Sequence, residues 1–333
     1  MNGSFNGWNA LSSLESLIGG SGNSYLSVVP SQRIMAMTQT ILVAGATGML
    51  GGRIAHHLLD QPDARVRLLV RNAAGKKELL KPFAAKGAEL IEGDLTDPAS
   101  LDRATQGVDV IVSAVQGGPE IVIDGQVSLA RAGKRNGVRR ILPSEFGLDL
   151  FKATSGEHAA FDMRAKADSK IAEIGLEQVN VLQGGFMDLF MPGMGAIDLD
   201  KGTVGFFGDG TRLVEVTSVE DTARMVARVS LDRDVPAGKF AFAGDRTSFR
   251  DAGAIVAEHT GRPIKPISYG SEDDLRAAMA AADAQKQVML AYLLYMTNGQ
   301  TALTDLQNDR YPDMRFEHFA EFIAHNLPVA AHA

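Results

Sequence analysis

A glycine-rich turn joins the first strand-like segment of the chain to the first helix-like one. The sequence reads ILVAGATGMLGGRIAHHLL from Ile41 to Leu59, with Gly45, Gly48 and Gly51 at three-residue spacing between an apolar run and an amphipathic run. Glycine in such a turn permits a tight bend, lets backbone N–H groups approach a pyrophosphate, and lets the helix pack closely on the strand. The motif predicts a dinucleotide cradle; the alternative is a strand–helix turn that binds no ligand.

Short apolar segments alternate with longer amphipathic ones from Thr40 onward. The apolar segments predict strands at 41–44, 66–70, 89–91, 108–114, 138–142, 179–182 and 240–243. Helical segments between them include 53–59, 100–104 and 123–136. Nearly continuous apolar strands that alternate with helices are typical of a parallel sheet covered on both faces. The sequence therefore predicts an α/β fold with a doubly wound, Rossmann-type parallel sheet.

The pattern changes toward the C-terminus, where helical periodicity dominates. After Arg246, the segments 249–260 and 271–295 predict helices, the second rich in Ala, Leu and Met. A smaller, mostly helical substrate domain is therefore expected beside the sheet. The predicted boundaries are 39–186 for the NAD(P)-binding domain, with a later strand near 238–245 returning to it, and 187–333 for mainly the substrate domain.

The beginning of the chain differs in composition from the rest. Residues 1–38 are rich in Gly, Ser and Asn and have few charged side chains, which predicts a flexible N-terminal tail. An interrupted apolar stretch without a basic start argues against a secretory signal. The natural start is left open between Met1, Met35 and Met37.

Composition restricts the partners of this chain. It carries 33 Lys and Arg against 40 Asp and Glu, a formal charge of −7, and no Cys. An acidic balance without a basic block argues against a nucleic-acid partner, because phosphate backbones are bound by concentrated positive charge. Without cysteine there is no disulfide or thiolate site, and we expect a cytoplasmic protein. No apolar run reaches transmembrane length and no histidine spacing indicates a metal site, so neither a membrane nor a metal partner is expected.

The end of the second predicted strand distinguishes the two nicotinamide dinucleotides. NAD sites usually place Asp or Glu there, whereas this chain reads LLVRN, with Arg71 at the strand end and Lys76 and Lys77 just beyond. Guanidinium forms bidentate, charge-assisted pairs with phosphate, so these cations favour NADP(H) with its 2′-phosphate; the alternative is a solvated basic loop. Asp94 and Leu95 follow the third strand, where they either hold the adenine edge or form an N-cap-like turn.

A combination of segments carries a family resemblance. The segments are GATGMLGG, LLVR, EGDLTD, VDVIVSAV, a helix with Gln126, VRRILPSEFG and NDRYPDMRF. With them the chain resembles the isoflavone reductase-like branch of the NmrA-like family, a group of atypical short-chain dehydrogenases, from about Thr40 to its end. The resemblance implies an NADPH-binding Rossmann domain, a small C-terminal substrate domain, and hydride transfer to aromatic, phenylpropanoid-type compounds. Other family members bind the nucleotide without known catalysis and report redox state.

The resemblance also implies cofactor-binding roles residue by residue. The residues that would bind NADPH are Gly45, Ala46, Thr47, Gly48, Met49, Leu50 and Gly51 at the pyrophosphate, Arg71 with Lys76 or Lys77 at the 2′-phosphate, Asp94 and Leu95 at the adenine, Ala114, Val115 and Gln116 toward the nicotinamide ribose, and Pro143, Ser144 and Phe146 near the nicotinamide. Gln116 departs from the small residue, commonly Gly, of the family pattern, so local cofactor contacts are expected to differ.

The lysine that the family's reductases place three residues after a Phe is replaced in this chain. An ungapped alignment puts Arg164 at its place, at the start of the helix after the fifth strand. Lysine in a dry pocket can exchange a proton near neutral pH, whereas arginine stays charged and can stabilise an oxyanion or a carboxylate. Lys166 and Lys170, the other catalytic candidates, lie about 200° and about 240° around the helix from it. The alternative for all three is a solvated helix face. His158 is a further candidate acid, although a lone loop histidine is usually exposed.

An apolar, flexible loop follows the sixth predicted strand, with the sequence GGFMDLFMPGMG. Loops there lie at the carboxyl edge of the sheet, where doubly wound folds bind ligands. Adaptable methionine and aromatic side chains suit a pocket for an aromatic ring. The residues expected to form its wall are Phe186, Met187, Phe190 and Met191; the alternative is that they seal the core between the two domains.

A later helical stripe has the spacing of a buried face. It consists of Met289, Tyr292, Leu293 and Met296, and a core role is expected. In sum, the sequence predicts an NADPH-dependent reductase of a small aromatic or conjugated molecule. A non-catalytic NADP(H)-binding redox sensor is the alternative, which the loss of the lysine favours. A homodimer is an assembly that the sequence permits.

Overall fold

The computed structural model describes residues 38–191 and 196–327. The tail predicted over residues 1–38 lies outside the described residues apart from Thr38, as do Met35 and Met37. The end of the predicted apolar loop, residues 192–195, lies outside them as well.

Strands and helices alternate through the first half of the chain. The strands are β1 (Gln39–Ala44), β2 (Ala64–Val70), β3 (Glu89–Glu92), β4 (Val110–Ser113), β5 (Arg140–Leu142), β6 (Glu177–Leu182), β7 (Gly185–Phe186), β8 (Ile197–Asp198), β9 (Thr203–Phe206), β10 (Val214–Thr217), β11 (Gly238–Ala241), β12 (Asp245–Thr247) and β13 (Lys265–Ser268). The helices are α1 (Met49–Leu59), α2 (Lys77–Ala85), α3 (Pro98–Thr105), α4 (Gln126–Arg135), α5 (Ala159–Ile174), α6 (Val219–Leu231), α7 (Phe249–Thr260), α8 (Glu272–Ala280), α9 (Ala284–Asn298) and α10 (Phe319–Asn326).

The main sheet has seven strands in the order β11-β6-β5-β4-β1-β2-β3. Every neighbouring pair in it is parallel. The chain winds outward in one direction from β1 and in the other from β4, so these adjacent strands mark the point where the winding reverses. Ligands of doubly wound sheets bind at the carboxyl ends of the strands at such a point. The predicted fold class is confirmed.

Both faces of this sheet are covered, as the continuous apolar strands predict. In β1, Ile41 and Val43 belong to one buried cluster together with residues of α1, α2 and α6. The alternate residues, Leu42 and Ala44, belong to a second cluster with residues of α3, α4 and α5. Because successive side chains of a strand point to opposite faces, a strand buried on both sides must be apolar at every position.

The C-terminal part is mostly helical, as predicted, and adds two small sheets that the sequence does not reveal. Their strand orders are β12-β10-β7 and β13-β9-β8. Strands of two to four residues are too short to establish an alternating pattern. The segment predicted as helical over 271–295 forms two helices, because the chain breaks between α8 and α9. Asp283 starts α9 by accepting a hydrogen bond from the Lys286 backbone N–H, 2.9 Å away.

Segments from both predicted domains contribute to the first core. Helix α6, from the range 187–333, packs against α1, and Tyr311 lies in the cluster of β1. The predicted later strand corresponds to β11, which pairs with β6. The boundary at 186/187 itself stays a prediction. Within residues 38–191 and 196–327, no helix combines the length and the apolar character that crossing a membrane requires.

A fully buried arginine ties the sheet to the end of α6. Arg140, in β5, donates from Nε to Glu177 Oε1 at 2.6 Å and from Nη1 to the Asp232 carbonyl oxygen at 2.7 Å. Its Nη2 group donates to Glu177 and to the Val235 carbonyl oxygen. Burial lowers the pKa of Arg140, an effect that the Glu177 carboxylate opposes. The guanidinium thus satisfies carbonyl groups that would otherwise lie unpaired inside the protein.

Candidate cofactor and active site

A cleft of about 300 Å³ opens at the carboxyl edge of the sheet, above β1 and β4. It brings together residues that lie far apart in the sequence. Those among the sequence-predicted set are Gly45, Thr47, Gly48, Met49, Leu50, Arg71, Lys76, Asp94, Leu95, Ala114, Val115, Gln116, Ser144, Phe146, Arg164 and Phe186. The lining also includes Ala44, Leu69, Val70, Gly93 and Ile121, which the sequence interpretation did not single out.

The glycine turn is packed so closely that side chains would not fit. Gly45 has φ +88°, and a Cβ there would lie 2.4 Å from the Ala114 carbonyl oxygen. A Cβ on Gly51 would lie 2.3 Å from the Gly45 carbonyl oxygen. The turn, the start of α1 and the end of β4 are therefore in van der Waals contact through backbone atoms, and Gly45, Thr47 and Gly48 of the turn line the cleft.

Helix α1 presents an N-terminus suited to an anion. It begins after Gly48 without a side-chain cap, and its first turn holds no acidic residue. The first N–H groups of a helix have no partner within the helix and lie at the positive end of its dipole. Lys76 Nζ lies 3.5 Å from Thr47 Oγ1 and adds a positive charge beside the turn. These groups together fit a pyrophosphate.

Arg71 stands at the open end of the cleft, where β2 finishes. Its side chain is 67% exposed and its Nη1 lies 3.8 Å from Asp94 Oδ2, so the guanidinium is only loosely held. Lys77 is also exposed but does not line the cleft. A cation with mobile, solvated donors at this strand end is available to a phosphate.

Asp94 has two roles: its side chain stabilises a turn, and the residue also lines the cleft. Its Oδ1 accepts hydrogen bonds from the Thr96 backbone N–H at 2.8 Å and from Thr96 Oγ1 at 2.7 Å. These bonds, with the Arg71 charge, lower the pKa of Asp94. The N-cap-like turn that the sequence left open is therefore present, while Asp94 and Leu95 remain at the wall of the cleft.

The inner end of the cleft is built on the loop after β5. Gln126 is fully buried and accepts a hydrogen bond from the Ser144 backbone N–H at 2.9 Å. Ser144 Oγ in turn donates to the Val115 carbonyl oxygen at 2.8 Å, which joins the ends of β4 and β5. Ala114, Val115 and the exposed Gln116 therefore form one wall with Ser144 and Phe146.

Arg164 reaches this inner end from the first turns of α5. Its Nη1 donates to the hydroxyl oxygen of Tyr292, in α9, at 3.0 Å. Burial by itself lowers the pKa of Arg164, but Tyr292 and the negative charge of Glu145 outweigh it, and the pKa is raised. Arg164, which the sequence prediction aligns with the family's lysine, is thus a permanent cation that lines the cleft.

The structure does not bring Lys166 and Lys170 to the cleft. Lys166 is exposed, and Lys170 Nζ lies 3.9 Å from Asp124 Oδ1 on the outer side of α5. Both occupy a different face of α5 from Arg164, as the helical angles predict. Neither lysine meets the geometric requirement for a proton donor in this conformation.

His158 lies in the core, although a loop histidine was expected to be exposed. It is 1% exposed, and its ring stacks on Phe161 at 4.0 Å between centroids and meets Tyr292 edge-on at 4.3 Å. Burial, with the neighbouring Arg164 charge, lowers the pKa of His158 to about 4. The imidazole is therefore neutral near pH 7 and is not an acid at that pH.

Two carboxyl groups meet behind Arg164, which the sequence interpretation missed. Glu145 is 1% exposed and Asp168, one turn after Arg164 on α5, is 5% exposed. Asp168 accepts hydrogen bonds from Gln178 Nε2 and, at 3.0 Å, from Asn180 Nδ2. Burial raises the pKa of both carboxyls. The i, i+4 spacing of Arg164 and Asp168 predicts that they are neighbours on one face of α5, whereas no sequence pattern predicts that Glu145 lies beside Asp168.

The predicted substrate residues separate into two groups. Phe186 lines the cleft. Met187 is fully buried, and Phe190 packs between Phe249 and Phe319 at 5.4 Å from each ring. Met191 packs against the same cluster. Of the four expected wall residues, Phe186 therefore lines the cleft, whereas Met187 and Phe190 fill the core of the C-terminal part and the partly buried Met191 packs against it.

A few other predicted residues support the cleft from behind. Ala46 is buried in the first core, Gly51 lies inside the packed start of α1, and Pro143 is buried. The predicted helical stripe is not buried throughout. Met289 is 52% exposed, whereas the Tyr292 hydroxyl accepts a hydrogen bond from Arg164. Sequence spacing places a side chain on a helix face but does not identify what that face meets.

Solved structures resemble this fold over nearly its whole length. A crystal structure of isoflavone reductase matches with a TM-score of 0.77 at 21% identity, covering 87% of this chain and 99% of that one. A structure of AtPrR2 with NADP+ and (+)pinoresinol matches with a TM-score of 0.76 at 25% identity, covering 86% of this chain and 98% of that one.

Sequence comparison agrees with the structural one. A phenylcoumaran benzylic ether reductase of Ginkgo biloba is 27% identical over 305 residues, which is 85% of this chain and 97% of that protein. The sequence model of the NmrA-like family matches residues 37–307, a range that holds the glycine turn, the cleft and Arg164. This chain belongs to the NmrA-like family.

Proposed function

We propose that this protein is an NADPH-dependent reductase that transfers hydride to a small aromatic or conjugated, phenylpropanoid-like molecule. The observation that carries the proposal is the continuous cleft, with a phosphate-binding turn and Arg71 at one end and Phe186 and Arg164 at the other. The similarity to a phenylcoumaran benzylic ether reductase and to a protein solved with NADP+ and (+)pinoresinol supports both the cofactor and the substrate class.

The residues of the cleft have separate tasks in this proposal. The N–H groups at the start of α1 and Lys76 bind the pyrophosphate, and Arg71 binds the 2′-phosphate. NADPH, when bound, supplies the hydride. Phe146 and Phe186 border the inner end and limit the access of water to it. Arg164, positive at every working pH, stabilises the negative charge that develops on the substrate.

A spectrophotometric assay tests the proposal. Purified protein is mixed with NADPH and a panel of aromatic enones, quinones and lignan-like benzylic ethers, and loss of NADPH absorbance is followed. We expect turnover with at least one class. Arg164→Met should lower kcat by about 100-fold, because removal of one preorganised charge donor typically costs that much, while the NADPH Kd stays unchanged. Lys166→Met, on the outer face of α5, is the matched control and should leave kcat unchanged.

A non-catalytic NADP(H) sensor is the second candidate. It is favoured by Arg164, which cannot exchange a proton as lysine can. Tight NADPH binding without turnover on any member of the panel would support the sensor and contradict the reductase. We also propose a cytoplasmic location and a homodimer, which cell fractionation and analytical ultracentrifugation would test.

A further inference from the structure

The carboxyl groups of Glu145 and Asp168 face one another inside the protein, within hydrogen-bond reach. Both Glu145 oxygens are buried, and no N–H or hydroxyl donor of the described residues reaches either of them. Asp168 is bonded by two side-chain amides from β6, Gln178 and Asn180. Two carboxyl groups can form a hydrogen bond only if one of them carries a proton. Because no other donor in the described part of the chain reaches Glu145, the contact requires that Glu145 or Asp168 is protonated.

A positive charge lies beside the pair. Arg164 approaches from α5 and attracts the Glu145 carboxyl, without a direct ion pair. Gln178 and Asn180, from β6, are neutral. His158, on the other side of Arg164, is neutral near pH 7, and Tyr292 from α9 bonds Arg164 directly. The negative charge of the pair can therefore balance the positive charge of the partly buried Arg164.

We propose that Glu145 and Asp168 share a proton and act together as positioning residues, setting the counter-charge behind Arg164 at the inner end of the cleft. Arg164 then keeps a constant charge. The groups that titrate are Glu145 and Asp168, which lie behind it. Ser144 and Phe146, which flank Glu145 in the chain, line the cleft, so a change of charge on the pair is felt at its wall. The part that concerns turnover rests on the proposed reductase function.

The pair predicts a specific dependence of stability on pH. Its carboxyls bind protons more tightly in the folded state than in the unfolded chain. A group with a raised folded-state pKa stabilises the protein fully below its unfolded pKa, and that stabilisation is lost as the pH rises through the folded pKa. The pair should therefore make the melting temperature fall between about pH 5 and about pH 8.

Glu145→Gln isolates this effect. The amide can donate to Asp168, so it keeps the hydrogen bond and removes the shared proton. We expect the fall in melting temperature between about pH 5 and about pH 8 to be smaller in this variant than in the wild type by about 3 °C or more. Glu173→Gln removes an exposed carboxylate from the same helix and should reproduce the wild-type fall. Equal falls in all three proteins would overturn the proposal.

Infrared spectroscopy of the wild type provides a measurement that needs no variant to fold. In D₂O near pH 7, a protonated carboxyl band should be present although all exposed carboxyls are ionised. Its absence would overturn the shared proton whatever the variants do.

Turnover separates a positioning role from a structural one. In the wild type, kcat should change with an inflection near neutral pH, and in Glu145→Gln that inflection should disappear while the KM for NADPH stays within about twofold. If the inflection of kcat in Glu145→Gln stayed at the wild-type pH, the pair would have no role in turnover. Loss of all turnover in the wild type would contradict the reductase alone, because the melting and infrared results do not depend on it.

Discussion

Arg71 determines, in our proposal, which dinucleotide the cleft prefers. Its guanidinium is exposed at the end of β2, and its Nη1 lies 3.8 Å from Asp94 Oδ2. Arg71→Asp should raise the Kd for NADPH by about tenfold or more, because a charge-assisted hydrogen bond is lost and a repulsive charge is added. The Kd for NADH, which has no 2′-phosphate, should stay within about twofold. Fluorescence titration measures both constants.

Arg103→Asp is the matched control for this prediction. Arg103 is exposed on α3, outside the cleft, and its replacement changes the net charge of the protein by the same amount. Equal weakening of NADPH and NADH in Arg71→Asp would show that this residue does not contact the 2′-phosphate.

Single residues differ in how far the sequence reveals their roles. Arg71 is predictable because it stands at the end of a strand that the pattern locates, and Arg164 because the family resemblance aligns it with the lysine of the reductases. The partner of Arg164, Tyr292, lies 128 residues further along the chain, and no local pattern joins the two. Met187 and Phe190 have the composition of a pocket wall, yet they are buried, because composition does not distinguish a cavity lining from a core.

Among the elements, the junction of β1 with α1 depends on the absence of side chains. Gly51→Ala would place a Cβ 2.3 Å from the Gly45 carbonyl oxygen, so α1 must move away from β1. We expect the free energy of unfolding to fall by about 1–3 kcal/mol and NADPH binding to weaken. Urea unfolding and ligand titration measure the two effects.

The neighbouring glycine serves as the control for that change. A Cβ on Gly52 would lie 3.2 Å from the Ala46 carbonyl oxygen and 3.8 Å from Phe83, and alanine favours the helix. Gly52→Ala should therefore change the stability by less than about 1 kcal/mol. If Gly51→Ala behaved in the same way, the close approach of the two backbones would not be what requires glycine.

Elements are predictable where their pattern is long or their burial is complete. The inner strands of the main sheet are predictable because both their faces are covered, so that the apolar run is continuous. The edge strand β3 is largely exposed, and only its short apolar segment indicates it. The short strands of the C-terminal part are not predictable, because they form through pairing with neighbouring strands and have no strand pattern of their own. The break between α8 and α9 depends on the hydrogen bond of Asp283, one residue in an Ala-rich stretch.

At the scale of the whole molecule, Arg140 connects the sheet to the chain beyond α6. Arg140→Met would leave Glu177 without its buried partner and the carbonyl groups of Asp232 and Val235 without donors. We expect a loss of about 3–5 kcal/mol in the free energy of unfolding, measured in urea. Arg135→Met, which removes an exposed pair with Asp102, should cost about 0–1 kcal/mol. Similar losses in both variants would contradict the role of the buried network.

The pairing of β11 with β6 has a consequence for how the protein is made. Ribosomes deliver the chain from its N-terminus, and β6 emerges well before the strand that covers its outer edge. During that interval the nascent polypeptide exposes an unpaired, apolar strand, the kind of edge that recruits other chains. Tyr311, still later in the sequence, belongs to the same core. Nascent chains that stop before β11 should therefore depend on chaperones.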